Sequence, residues 1–179
     1  MMQKSCFSFL FVLILNLVSK TLSAEAIPDL GLNCVAWKTT KVMFLVNMVY
    51  PVGTNCSVQV TRSPKGNELT EYKVIVPIAS FDSGEKDRDK EVLKILKADI
   101  QSDIEIIGSI TAKVPEQTIT ISVAGEKFTL PVKATIENNV LYVQANTQFS
   151  NLNMKAPSVL GGFIAKVKDI LELHAKIEL

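Results

Sequence analysis

Histidine is almost absent from this 179-residue chain: His174 is the only one. Zinc centres draw three or four ligands from His, Cys and carboxylates, so a metal site would have to be built largely from cysteine. Cysteine is scarce too. Of three, Cys6 falls in an N-terminal apolar run, which leaves Cys34 and Cys56. Their spacing is far from C-x-x-C and no basic cluster flanks either thiol, as a reactive pair would require. No metal site and no catalytic thiol is expected. His174 stands between Glu172 and Lys176 on the polar side of an alternating segment, the position of an exposed surface histidine rather than a base or a ligand.

Charge of one sign is missing as well. The 19 basic and 18 acidic residues nearly cancel, whereas a nucleic-acid partner calls for a basic stripe that displaces counterions from phosphates. The same neutrality gives no reason to expect attraction to an anionic lipid surface. Internal repeats, low-complexity tracts and Pro-rich linkers are absent, and the length suits one domain of about 100 to 200 residues. The one long apolar run, Cys6–Val18, falls short of the roughly 20 residues that span a bilayer, so an integral membrane protein is not expected.

That run follows Lys4 and precedes Ala24-Glu25-Ala26, an A-x-A pattern, which together read as a secretory signal peptide over residues 1–26. A membrane anchor is the alternative. Cleavage would remove Lys4, Lys20 and Glu25 and leave 17 basic and 17 acidic residues in a domain spanning 27–179. In an exported chain Cys34 and Cys56 would form one disulfide. Asn55-Cys56-Ser57 is formally a glycosylation sequon, which a disulfide at Cys56 would hinder.

What is abundant is period-2 alternation. In the last segment Leu171, Leu173, Ala175, Ile177 and Leu179 alternate with charged residues and His174. Ile119, Ile121 and Val123 form one arm of a hairpin turning at Gly125-Glu126. Phe128, Leu130, Val132, Ala134 and Ile136 form the other. Asn138-Asn139 makes the next turn, before Leu141, Val143 and Ala145. Similar patterns run through "SVQVTRS", "EYKVIVPIASF" and "SDIEIIGSITAKV", with turn signals at Ser63–Gly66 and Val114–Glu116. Pro77 and Pro131 inside such patterns should fall at edges, bulges or breaks in the ladder. "KVMFLVNMVYPV" is almost continuously apolar and reads either as a strand buried on both faces or as a short turn of helix. Some eight strands and one helix predict an all-β, eight-stranded antiparallel barrel.

The helix is expected in "SFDSGEKDRDKEVLKILK". Val92, Leu93, Ile95 and Leu96 fall at helical spacing, with Lys90, Glu91, Lys94 and Lys97 opposite. Ser83 would be the N-cap, and Glu85, Asp87 and Asp89 would gather at the positive helix start. Such carboxylates require no catalysis, since neither a nucleophile nor a metal accompanies them. The adjacent Arg88 and Asp89 would form either a buried ion pair or a solvated one.

The same stretch resembles the YceI-like family of exported polyisoprenoid-binding proteins, in the pattern V-x-S-x-D-S/T-G-x-x-x-R-D-x-x-L. The matching positions are Ser80, Asp82, Ser83, Gly84, Arg88, Asp89 and Leu93. Trp37, Lys38 and Thr39 resemble the family's opening motif. Pro157, Lys166, Val167, Lys168 and Asp169 resemble its closing one. The chain departs from the family where a Gly-x-Phe is replaced by "VMFLVNMVYP", a D-F by Asn151-Leu152, and a D-F-F-D by "ADIQSDI".

The resemblance implies a lipocalin-like barrel whose interior holds an isoprenoid lipid or quinone, or a similar long-chain, fatty-acid-like amphiphile. It also implies a periplasmic location in a Gram-negative bacterium, no catalytic turnover, and a homodimer. Inward candidates for the ligand wall are Trp37, Val74, Val76, Ile78, Ile119, Ile121, Leu141, Val143, Leu171 and Leu173. Alternating aliphatic residues are equally the core of any barrel, and Trp37 could simply be packed. A filled barrel would make this a structural or stress-related interaction protein. An enzyme would need His174 or the Glu85–Glu91 carboxylates in a pocket.

Overall fold

The computed structural model describes residues 30–44, 46–65, 69–111, 113–162 and 164–179. The expected signal peptide lies outside them. Among the described residues no helix is long and apolar enough to cross a membrane.

Eight long strands carry the fold: β1 Cys34–Met43, β4 Gln59–Lys65, β5 Leu69–Pro77, β6 Asp103–Ile110, β7 Glu116–Val123, β8 Glu126–Glu137, β9 Val140–Thr147 and β11 Ala165–Glu178. Three short ones, β2 Asn47–Val49, β3 Val52–Asn55 and β10 Ser158–Val159, attach to their margins. All pair antiparallel. From β4 to β9 the sheet is a meander, after which β11 pairs with β9 on one side and with β1 on the other. The first long strand therefore lies beside the last, as in an up-and-down barrel.

The turns follow from their residues. Asn138 and Asn139 take φ of 52° and 63°, and Ala124 and Gly125 take 55° and 80°. Two positive φ values in a row are what a tight hairpin needs to match strand twist. The turn after β7 thus starts one residue earlier than the sequence suggests. Ser63, Pro64 and Lys65 are not a turn but the end of edge strand β4. There Pro64 withholds a donor from any further strand. Pro131 sits in the part of β8 that pairs with β7 alone, since the β8–β9 register begins at Lys133. Pro77 ends β5 and leads into a 3-10 turn, Ile78–Ser80.

The eight-stranded wall is not sealed by a continuous ladder. β4 and the β1–β3 margin end the sheet, and side chains close the gap: Val35 of β1 packs in one cluster with Val74 and Val76 of β5 and with Val58 and Val60. Polar bonds cross the same seam. The buried Asn55 donates from Nδ2 to the Pro77 carbonyl at 2.7 Å and accepts the Ser57 N–H at 2.9 Å. Thr54 and Asp82 exchange backbone hydrogen bonds of 2.8 and 2.9 Å.

A disulfide joins Cys34 to Cys56, so the start of β1 is tied to the residue after β3. Asn55 is only 1% exposed, and its amide is committed on both sides. Burial therefore removes the formal sequon from glycosylation.

Helix α1, Lys86–Ile95, occupies the β5–β6 connection. Its entry is set by side chains other than the expected cap. Glu85 holds the N-cap position, and Ser83 instead donates its hydroxyl and its N–H to Asp89 Oδ1, at 2.6 and 3.0 Å. Arg88 donates to the Ser83 carbonyl at 3.1 Å rather than pairing with Asp89. Asp82 Oδ1 accepts the N–H of Gly84, whose φ of +74° favours glycine. At the helix exit Gln101 donates to the Ser122 carbonyl and accepts the Gly125 N–H. The charged stretch is a hydrogen-bonded clamp that fixes a helix over one end of the barrel.

Two stability effects follow. Replacing Cys34 and Cys56 together by Ser should lower the unfolding free energy by about 3 kcal/mol, the loop-entropy value for a closed loop of this size, measured by urea unfolding. Asn55→Ala leaves the Pro77 carbonyl and the Ser57 N–H without their partner and should cost roughly 2 kcal/mol or more in the same assay.

Candidate functional site: an apolar cavity inside the barrel

Curling the sheet leaves an internal cavity of about 710 Å³, inside the roughly 300–1,000 Å³ range of small-molecule sites. Inward residues of β1, β5, β6, β7, β9 and β11 line it, and nearly all are aliphatic. Nine of the ten residues read from alternation stand on this wall: Trp37, Val74, Val76, Ile119, Ile121, Leu141, Val143, Leu171 and Leu173. Ile78 does not. It is 1% exposed, but the 3-10 turn after Pro77 breaks the alternation and carries its side chain out of the wall.

Small residues keep the space open. Gly108 stands where a Cβ would fall 2.7 Å from Ile119 Cγ2. Trp37 is both packed and part of the wall: it pairs with Gly53, where a Cβ would come within 2.5 Å of the indole. Thr39, a buried residue on the wall like Tyr72, donates its hydroxyl to the Ile170 carbonyl at 2.7 Å and has no spare proton for a ligand, whereas the buried Trp37 Nε1 on the same wall has no partner.

Residues outside the strands complete the enclosure. Val92, Ile95 and Leu96 of α1 face the cavity, as do Phe149, Leu152 and Met154 of the β9–β11 connection. Alternation could not have found the second group, which lies on and beside a 3-10 turn, Ser150–Leu152. Asp169 holds that turn, accepting the Ser150 N–H at 3.0 Å and the Ser150 hydroxyl at 2.5 Å. Both bonds keep its carboxyl below the usual carboxylate pKa. Polar groups concentrate at the rim, where Lys41, Glu85, Asp87, Arg88 and Glu91 meet the cavity.

The outer face of β1 and β11 carries a polar cluster, of which His174 also borders the cavity. Lys38 is 3% exposed, with its ammonium 3.8 Å from Glu172 and 5.6 Å from the Tyr50 ring centre. His174 is half-buried here, not on the open surface. Its Nε2 lies 3.7 Å from Glu172 and has no hydrogen-bond partner. Burial lowers its pKa, and the Glu172 carboxylate only partly offsets this. No group of three or more possible metal ligands occurs among the described residues.

"KVMFLVNMVYPV" is neither a doubly buried strand nor a helix. Its described residues form the end of β1, a turn, β2 and the start of β3, and several of its apolar side chains are exposed: Phe44 is 62% exposed, Val46 77% and Met48 55%. A run of apolar residues carries no period that distinguishes burial from exposure, so no pattern in the sequence pointed to this.

With this geometry in view, solved structures supply the comparison. The chain shares the YceI fold. A YceI protein from Campylobacter jejuni matches with a TM-score of 0.51 at 14% identity, over 71% of this chain and 82% of that one. A polyisoprenoid binding domain from Saccharophagus degradans matches with a TM-score of 0.51 at 10% identity, over 82% and 97%. BcnA from Burkholderia cenocepacia matches with a TM-score of 0.51 at 19% identity, over 78% and 94%. No family model and no curated protein matches the sequence.

The lowered pKa of His174 sets a pH dependence. The folded chain binds this proton less readily than the unfolded chain, whose value is the ordinary 6.5. The neutral form is favoured on folding, so stability is lost as pH falls through and below that value. Thermal unfolding midpoints measured between about pH 7 and 5 should fall less steeply for His174→Gln than for the parent.

Proposed function

We propose that this is an exported lipid-binding protein that holds a polyisoprenoid, an isoprenoid quinone or a similar long-chain amphiphile inside the barrel, without chemical turnover. The observation that carries the reading is the cavity itself, a space of about 710 Å³ open at a mouth, with a largely aliphatic wall and its charged groups at the rim. Burial of a hydrocarbon chain there contributes about 0.8 kcal/mol per CH₂, so useful affinity needs no internal polar anchor. A filled barrel, which the interaction-protein alternative requires, is at odds with that space. The polyisoprenoid binding domain that shares the fold supports the same ligand class. The A-x-A pattern and the Cys34–Cys56 disulfide support export to an oxidising compartment such as the periplasm.

The test is to express the full chain in a bacterium, purify it without detergent, and analyse an organic extract and the intact protein by mass spectrometry. A long-chain lipid near one per chain is expected, together with a mass that shows cleavage after Ala26. An extract that stays empty after incubation with quinones and prenyl alcohols would overturn the reading. Ile121→Trp, which fills the wall from β7, should reduce lipid occupancy roughly tenfold while leaving the circular dichroism spectrum unchanged.

A further inference from the structure

The cavity opens beside a lip that projects beyond the body of the barrel. β9 stops pairing with β11 at Leu171. Residues 165–170 continue past it, flanked by the end of β1, by β2 and by β10. The tip is apolar and in water: besides Phe44, Val46 and Met48, Val159 is 50% exposed and Ile164 is 37% exposed. A contiguous exposed apolar surface of this kind marks an interaction site.

The lip is continuous with the cavity. Val159 lines the cavity wall while half-exposed, and the partly buried Lys41 of the same wall pairs with Val49 of β2. A hydrocarbon chain leaving the interior would meet these side chains before it met water.

Charge is one-sided here although the whole chain is balanced. Segments 41–51 and 154–170 carry Lys41, Lys155, Lys166 and Lys168 against one acidic residue, Asp169, which is engaged by Ser150. The Lys168 ammonium lies 3.8 Å from the Met48 sulfur, beside the apolar tip. The rim carboxylates Glu85, Asp87 and Glu91 come from α1, not from the lip. Apolar side chains that can enter a bilayer, framed by lysines that can meet anionic headgroups, complement a lipid surface.

We infer that the β1–β2 lip docks on an anionic membrane surface and puts the cavity mouth against the bilayer, so that ligand passes between membrane and barrel without crossing water. This rests on the lipid-binding reading and adds the partner from which the ligand comes.

Flotation tests it, using protein purified from expression of the full chain and vesicles of phosphatidylcholine with and without phosphatidylglycerol. A second measurement, displacement of a fluorescent fatty acid from the cavity in vesicle-free solution, reads ligand binding separately. The parent should float with the vesicles, more strongly when they are anionic. Val46→Asp and Met48→Asp, both at exposed positions, should each weaken flotation roughly tenfold and leave fatty-acid binding intact. Lys166→Glu with Lys168→Glu should abolish the preference for anionic vesicles.

A parent that binds the fatty acid but does not float would overturn the docking and leave the lipid-binding reading standing. So would flotation indifferent to Val46→Asp. A dimer in light scattering that Met48→Asp dissociates, with no flotation, would assign the lip to a second copy and overturn the inference. Loss of fatty-acid binding in the parent would instead count against the function itself.

Discussion

The pairing of β1 with β11 is the constraint on which everything else depends. It joins segments from opposite ends of the domain, as the Thr39 hydroxyl bond to the Ile170 carbonyl, 131 positions away, makes plain. A meander from β4 to β9 could lie open as a twisted sheet. Placing β1 against β11 adds a margin that can reach β5, and this bends the sheet until Val35 meets Val74 and Val76. Closing so long a loop costs entropy, and the Cys34–Cys56 bond separately holds the start of β1 to the chain beyond β3, which fixes the β1–β3 margin at the seam. Without that curl the aliphatic faces would have no interior to enclose.

The last step of closure is made by a motif whose composition suggests chemistry. Asp82, Ser83 and Arg88 border an open surface pocket beside Tyr50 and Thr54, and with Asp89 they have the composition of an acid–base site. Each is spent on the backbone or on a neighbour: Asp82 on Thr54 and Gly84, Ser83 on Asp89, Arg88 on the Ser83 carbonyl. The clamp bridges the seam where no ladder exists and sets α1 over the cavity. Its carboxylates at the helix start are also favoured by the helix dipole. Asp82, Ser83, Arg88 and Asp89 each have a structural partner in this clamp.

Much of this was legible in the sequence, because inward and outward positions of a strand differ by one residue. Alternation identified the wall from Val74 to Leu173, and Asn138-Asn139 fixed a turn because asparagine tolerates positive φ. The failures have the same root. Ile78 fits the alternation of β5 but lies past Pro77, where the chain leaves the ladder. Phe149 and Leu152 reach the cavity from a 3-10 turn that has no period of two. His174 alternates outward as expected, yet the outer face is partly covered beside Lys38 and Tyr50. Whether a barrel is full or hollow depends on its radius, which pairing geometry sets and no linear pattern records.

Where the polar groups lie also bears on what kind of ligand suits this interior. Thr39 is already bonded within the wall, so a headgroup placed deep inside would lose its hydrogen bonds to water and find few partners there beyond the unpartnered Trp37 Nε1. The rim offers both signs of charge, Lys41 and Arg88 beside Glu85, Asp87 and Glu91. An amphiphile therefore fits tail inward and head at the mouth. Selection would then act on tail length and bulk, with only a weak preference among headgroups. The same orientation leaves the head on the side of the lip, where a bilayer presents its own headgroups, so the tail can exchange between two apolar phases along one path.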